Sequence, residues 1–282
     1  MNWARGKACM SVGASKMPIC KVNGIELYYD EIGTGTPVML ITGLGGVGAA
    51  WGPQISLFGN KFRTIVPDHR GRGRSTMTME GHEIDQLASD MAECLRKTRA
   101  APAHLVGSSL GGAIALRMAL DHPDVVRSLT LVASLAKSDE YIKRWFRFRT
   151  LVVERLGHEV EVELMLLLLH SPTYLREHWS AIEEFEKAFK AAPSSTQIEV
   201  ARMDMVMRHD CLAQLSEIKV PALILAGADD AITPPYLSEQ LSAGIAASCF
   251  RVLERTGHYI QIERPELFFE IVGDFIEGLE RR

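Results

Sequence analysis

The chain has 282 residues, with 31 Lys and Arg against 35 Asp and Glu and a formal net charge of −4. At 47% hydrophobic and 23% charged residues, a disordered or collagen-like chain is excluded. The slightly acidic balance speaks against the basic face that nucleic acid requires, and no apolar run approaches the roughly 20 residues of a bilayer span.

Residues 1–16 read as an extension without order of its own, and Met17 is an alternative start. Arg5 and Lys7 have no apolar stretch after them, unlike a secretory leader. Asn23-Gly24 separates Lys21 and Val22 from an alternating segment at 25–29, which is a hairpin signal. Residues 38–41 form a continuous apolar run, as in a strand buried on both faces. Residues 62–66 read as a second, less apolar strand. Ile84, Leu87, Met91, Cys94 and Leu95 recur at helical spacing and predict a helix over 84–97. A strand at 103–106, a helix at 110–121 and a strand at 126–132 follow. This βαβ rhythm implies a mostly parallel sheet.

The rhythm then breaks. From about 137 to 209 only helical patterns occur, beginning with the stripe Trp145, Phe148, Val152 and Leu156. Further stripes cover 160–169, 179–188 and 198–207. Strands resume at 222–226 and 250–253, with helices at 234–241 and 265–279. The reading is an α/β fold: a mostly parallel twisted sheet with helices on both faces. Residues 17–136 and 210–282 form its core, and 137–209 is a helical cap inserted between them.

The five cysteines, Cys9, Cys20, Cys94, Cys211 and Cys249, are scattered and form no CxxC pair. They read as free thiols in a reducing, cytoplasmic compartment. No HExxH or other metal-ligand spacing occurs, so no metal is expected.

Two glycine-rich turns carry the candidate chemistry. Gly43-Leu44-Gly45-Gly46-Val47-Gly48 follows the strand at 38–41, and Asp68 lies 20 residues beyond Gly48, so it matches a dinucleotide fingerprint. Gly52-Pro53 and Asn60 break the helix that should follow, which disfavours a nucleotide cofactor. The second turn, Gly107-Ser108-Ser109-Leu110-Gly111, lies between strand and helix and fits G-x-S-x-G, which lifts a serine hydroxyl above the sheet edge. Ser109 is the candidate nucleophile, with Ser108 as a weaker alternative. The amide of Leu110 starts the helix and can face a negative oxygen.

A serine needs a base. Of nine histidines, His258 stands on a loop after the strand at 250–253, at the sheet edge where the Ser109 turn lies. His69 sits in an arginine-rich turn, and the others lie beside helix ends, within a strand or in the helical block. Asp229 and Asp230, after the strand at 222–226, are the candidate orienting carboxylates, and one of the two is expected to point inward.

With these motifs in place, residues 17–282 resemble the α/β-hydrolase superfamily. The matched segments are Thr42 to Gly46, Asp68-His69-Arg70-Gly71-Arg72-Gly73-Arg74-Ser75, Gly107 to Gly111, and the pair of Asp230 with Gly257-His258. The chain order Ser, Asp, His is the one this superfamily uses. The resemblance implies a triad of Ser109, Asp230 and His258, and an oxyanion hole from the backbone N–H groups of Leu44 and Leu110. It also implies that the Asp68–Ser75 turn is structural, the alternative being a phosphate site on its arginines. Thr42 departs from the pattern, since histidine is common there, which puts the buttressing of the first turn in question. Within the superfamily the chain looks most like bacterial carboxylic-ester and enol-lactone hydrolases, including the oxoadipate enol-lactone and aminoacrylate hydrolases.

The expected activity is hydrolysis of a small-molecule ester or lactone by water through an acyl-enzyme, without a cofactor. The alternatives are C–C bond hydrolysis or perhydrolysis on the same triad, a catalytically silent binding protein, and an NAD(P)-dependent reductase. Homo-oligomerisation is left open. Lys143, Arg144, Arg147 and Arg149 read as a solvated helix face or as a cationic rim for an anionic substrate. Met203, Met205 and Met207 read as core or as a pliable acyl pocket.

Overall fold

The computed structural model describes residues 18–190 and 195–281. The expected extension at 1–16 and the alternative start at Met17 lie outside the described residues. Asn23 and Gly24 both take positive φ, 41° and 78°. Two such residues make the tight turn that matches strand twist, and they join β1 (Ile19–Val22) to β2 (Ile25–Ile32).

Six further strands complete one sheet: β3 (Pro37–Ile41), β4 (Arg63–Pro67), β5 (Ala103–Ser108), β6 (Val126–Val132), β7 (Ala222–Gly227) and β8 (Ser248–Leu253). Their order is β1-β2-β4-β3-β5-β6-β7-β8. β2 pairs antiparallel with β1 and β4, and all other pairings are parallel. From β3 the chain goes to β4 on one side and later returns to β5 on the other. The crevice beyond the carboxyl ends of β3 and β5 is therefore a topological switch point, where ligands of such sheets bind. The Gly43 turn and the Ser109 turn both leave from it.

Helices cover both faces. The odd and even positions of β3 explain why its run is uniformly apolar. Met39 and Ile41 pack with α2 (Ile84–Lys97), α3 (Leu110–Asp121) and α8 (Pro235–Gly244). Val38 and Leu40 pack on the opposite face with Trp51, with Phe58 of α1 (Gln54–Gly59), and with Phe268, Val272 and Ile276 of the last helix. Successive strand residues point to opposite faces, so a strand covered twice needs no polar position.

Between β6 and β7 lie α4 (Glu140–Leu156), α5 (His158–Leu169), α6 (Pro172–Lys190) and α7 (Thr196–Met207). Where the chain leaves for this block and where it returns, it runs beside itself. Lys137 bridges Asp210, the Ser138 N–H donates to the His209 carbonyl at 2.9 Å, and the Cys211 N–H donates to the Ala136 carbonyl at 2.8 Å. After β8 come the one-turn α9 (Ile260–Glu263) and α10 (Pro265–Glu280). The short helices α1 and α9 are absent from the sequence reading, because four to six residues cannot display a 3.6-residue period.

Candidate active site

Ser109 joins β5 to α3 with φ 55° and ψ −120°, a region that costs a residue with a Cβ about 1–3 kcal/mol. The surroundings enforce it. The Ser109 N–H donates to the Val132 carbonyl at 2.8 Å, and the Ser109 carbonyl accepts from the Gly112 N–H at 2.9 Å and the Ser134 hydroxyl at 2.8 Å. The flanking glycines are obligatory: a Cβ on Gly107 would meet the Gly111 carbonyl oxygen at 2.3 Å, and one on Gly111 would meet the Ile41 carbonyl oxygen at 2.0 Å. The result is a serine presented to a cavity above the sheet edge. Ser108 is buried beneath, where Gln261 Nε2 donates to its hydroxyl at 3.4 Å.

His258 lines the same cavity, from the loop after β8. Its Nδ1 lies 2.8 Å from Asp230 Oδ2, and both side chains are buried. Oδ1 of Asp230 accepts the N–H groups of Ile232 and Thr233 at 2.8 and 2.9 Å. Asp229, next to it, is exposed. Thr233 escaped the sequence reading, yet its hydroxyl sits 2.8 Å from Asp230 Oδ2 and 3.1 Å from His258 Nδ1.

Glu263, also unanticipated, holds the His258 loop from below. It accepts the Gly257 N–H at 3.1 Å, and the N–H and hydroxyl of Ser171 at 2.7 and 2.8 Å. Burial pushes its carboxyl up, but His170, Ser171 and Gly257 outweigh burial and leave it below the ordinary value. In the sequence Glu263 is only a carboxylate five residues after His258, at the end of a helix too short to show a period.

The first glycine-rich turn lies over the nucleophile candidate: a Cβ on Gly43 would stand 3.2 Å from Ser109 Cβ and 3.8 Å from its Oγ. The carbonyls that follow Gly43 are tied down one by one. Leu44 accepts from Arg202 Nε at 2.8 Å, Gly45 from Arg72 Nε at 2.7 Å, and Gly46 from the His69 N–H at 2.7 Å. His69 completes the buttress. Arg202 Nη2 stands 3.0 Å from His69 Nδ1, and Thr42 Oγ1 stands 3.4 Å from Nε2. A guanidinium only donates, so Nδ1 accepts and the ring proton sits on Nε2, toward Thr42. Burial, Arg202 and Arg72 push the His69 pKa well below the usual histidine value, so the ring is neutral.

The arginine-rich turn is occupied internally. Arg70 forks onto buried Asp90 at 2.6 and 2.8 Å, and Arg74 meets Asp68 at 3.1 Å and Asp30 at 2.9 Å. Asp68 also accepts the Gly48 N–H at 2.7 Å. It is therefore not placed as the ribose ligand of a dinucleotide, and the turn opens a four-residue 3-10 segment instead of a long helix.

The cavity measures about 110 Å³. Gly43, Leu44, Ser109 and His258 form its floor, and all four helices of the block form its walls through Phe146, Met165, Phe185 and Met203. Met205 packs in the core instead. Of the basic cluster on α4, Arg149 alone lines the cavity, with its charge matched by Glu161 at 2.5 Å. Arg144 and Arg147 are exposed and outside it. Among the described residues no cluster of three or more His, Cys, Asp or Glu could hold a metal, and no helix is long and apolar enough to cross a membrane.

Residues 54–265 match the family described as serine aminopeptidase, S33. A protein of Azorhizobium caulinodans provisionally named carbamate hydrolase RutD is 33% identical over 265 residues, which is 94% of this chain and 100% of that one. A thermophilic esterase from Thermogutta terrifontis, solved with malate bound, aligns with a TM-score of 0.81 at 29% identity over 94% of this chain and 98% of its own. Est816, described as an N-acyl homoserine lactone degrading enzyme, aligns with a TM-score of 0.80 at 28% identity over 92% of this chain and 100% of its own.

Proposed function

We propose that this chain, which belongs to the serine aminopeptidase S33 family of the α/β-hydrolase superfamily, hydrolyses a small carboxylic ester or lactone through an acyl-enzyme on Ser109. The observation that carries this reading is the elbow at Ser109, strained at φ 55°, opening into the cavity that His258 lines while hydrogen-bonded to buried Asp230. The esterase and lactone-degrading neighbours support the same bond class.

Ser109 Oγ attacks the acyl carbon, and His258 takes its proton. Asp230 keeps the imidazole proton on Nδ1 and stabilises the imidazolium that forms. The N–H groups of Leu44 and Leu110 receive the developing oxyanion, an arrangement in which one lost donor costs about 3–4 kcal/mol. The first turn suits this role because the carbonyls of residues 44 to 46 are each held, by Arg202, Arg72 and the His69 N–H, which fixes its backbone. His258 protonates the leaving group, then activates water for release of the acid. The helical block acts as a cap that shapes the substrate pocket, and the cytoplasmic location expected from the scattered cysteines is part of the same reading.

A carbamate is the second reading, favoured by the 33% identity to the relative named for that activity. Its carbonyl meets the same groups, so the substrate alone differs.

The test is reaction with a fluorophosphonate followed by mass spectrometry, with wild type and Ser109→Ala side by side. One adduct on Ser109, absent from the variant, is expected. An unlabelled wild type, or an adduct on Ser108, overturns the proposal. A screen of p-nitrophenyl esters, enol lactones, carbamates and an aminoacyl nitroanilide then separates the bond classes.

A further inference from the structure

We infer that Arg202 anchors a carboxylate on the substrate, so that the molecule cleaved is a small carboxylate-bearing ester, lactone or carbamate; this rests on the hydrolase reading above. Arg202 projects from α7 and is among the largest fully buried side chains of the protein, 1% exposed, yet it lines the cavity shared by Ser109 and His258. Two of its nitrogens are occupied, Nε by the Leu44 carbonyl and Nη2 by His69 Nδ1. Nη1 is buried and has no hydrogen-bond partner. No ion pair involves Arg202 among the described residues.

The rest of the lining is balanced. Arg149 is matched by Glu161 at 2.5 Å, and Arg72 faces Glu199 at 3.8 Å, with His158 Nδ1 3.0 Å from the same carboxylate. His69, the other group against Arg202, is neutral. Three guanidinium groups thus share the wall with two carboxylates, and the surplus charge sits on Arg202. Burial and the nearby Arg72 push the Arg202 pKa down to about 9, which leaves it charged at neutral pH. A buried cation without a counter-charge is expensive, and an anion that enters relieves it.

The geometry also sets where the anion goes. Arg202 grips Leu44, one residue beyond the Gly43 that abuts Ser109. A carboxylate held by this guanidinium therefore lies beside the turn that covers Ser109, in a cavity of about 110 Å³. Two hydrogen bonds already fix the guanidinium, so little ordering remains when the ligand arrives. The exposed Arg144 and Arg147 are not needed for this recognition.

Calorimetry on Ser109→Ala, which binds without turnover, reads this directly. The probes are monomethyl succinate, one carboxylate and one ester, and the neutral dimethyl succinate. A charge-assisted hydrogen bond should make the monoanion bind at least about tenfold more tightly. Arg202→Gln in the same background should erase that preference, and Arg202→Lys should keep part of it. Equal affinities in Ser109→Ala, including no binding of either probe, overturn the inference without any further variant. A preference that persists in a folded Arg202→Gln protein overturns it as well. Turnover of both esters by the wild type is measured in parallel. Hydrolysis of the two at equal kcat/KM leaves the hydrolase reading standing and removes the carboxylate anchor. A preference in binding with no turnover and no fluorophosphonate adduct does the reverse.

Discussion

Nδ1 of His258 and Oδ2 of Asp230 lie 2.8 Å apart with both side chains out of water, and 28 residues of chain separate them. A carboxylate in that position selects the tautomer whose free Nε2 can take a serine proton. Asp230→Asn keeps the shape and loses the selection. It should cost kcat up to about 10⁴-fold, the size seen for the equivalent change in a serine protease. Asp229→Asn, at an exposed position, should change kcat less than about threefold, and steady-state kinetics on the best ester of the screen compares the two.

Gly111→Ala should destabilise the protein by about 1–3 kcal/mol or more, because its Cβ has to displace a backbone oxygen that stands 2.0 Å away on the neighbouring strand. Gly273→Ala in α10 is the control. Nothing lies within 4 Å of its Cβ, and alanine should gain about 0.5–1 kcal/mol over glycine inside a helix. Urea unfolding of the two variants checks both signs.

Stability should fall as the pH drops below 6.5. His209, beside the paired neck of the helical block, is buried, and burial pushes its pKa from 6.5 down to about 4 despite the Leu135 backbone hydrogen bond. Between those values the unfolded chain binds a proton that the folded one refuses, so stability is lost as pH drops below 6.5. From pH 7 to 5 the loss from this one group is about 2 kcal/mol. His209→Gln should flatten the slope of stability against pH in that window. His69, lowered for the same reason, should leave a residual slope.

Arg144→Gln combined with Arg147→Gln should change kcat/KM less than about twofold for anionic and neutral esters alike. Both side chains are exposed and neither lines the cavity. A selective loss with the anionic ester at low salt would restore the cationic rim as a recognition element.

The sheet and the Ser109 elbow were legible because their signals are local. A strand, G-x-S-x-G and an amphipathic helix follow one another within 20 residues, and the helices at 84–97 and 110–121 begin and end where expected. Asp230 and His258 were legible through chain order and the turns that carry them. Arg202 was not. It stands in a helical stripe of methionines, and what gives it meaning is His69, 133 residues away, and the Leu44 carbonyl, 158 away. Arg149 misled for the converse reason. It shares a stretch of sequence with Arg144 and Arg147, but its helical position turns it inward onto Glu161. The buttress at Thr42 was flagged by a departure from pattern, and the tertiary fold supplies it from three distant side chains.

Because Ala136 and Cys211 are hydrogen-bonded neighbours, the core experiences the helical block as a loop whose ends already touch. The entropy of closing such a loop grows only logarithmically with its length. Lengthening or shortening the block thus costs little chain entropy, and what ties it to the sheet is packing, since Ile142, Phe146, Met203, Met205 and Val206 share the core with Met39 and Ile41. Ser109, Asp230 and His258 belong to the sheet's own loops, while Phe146, Met165, Phe185 and Met203 belong to the block. The block nonetheless reaches those loops at two points, Arg202 on the Leu44 carbonyl and Ser171 on Glu263 beneath the His258 loop, so a change of the cavity wall leaves the sheet's loops in place only where these two contacts are kept.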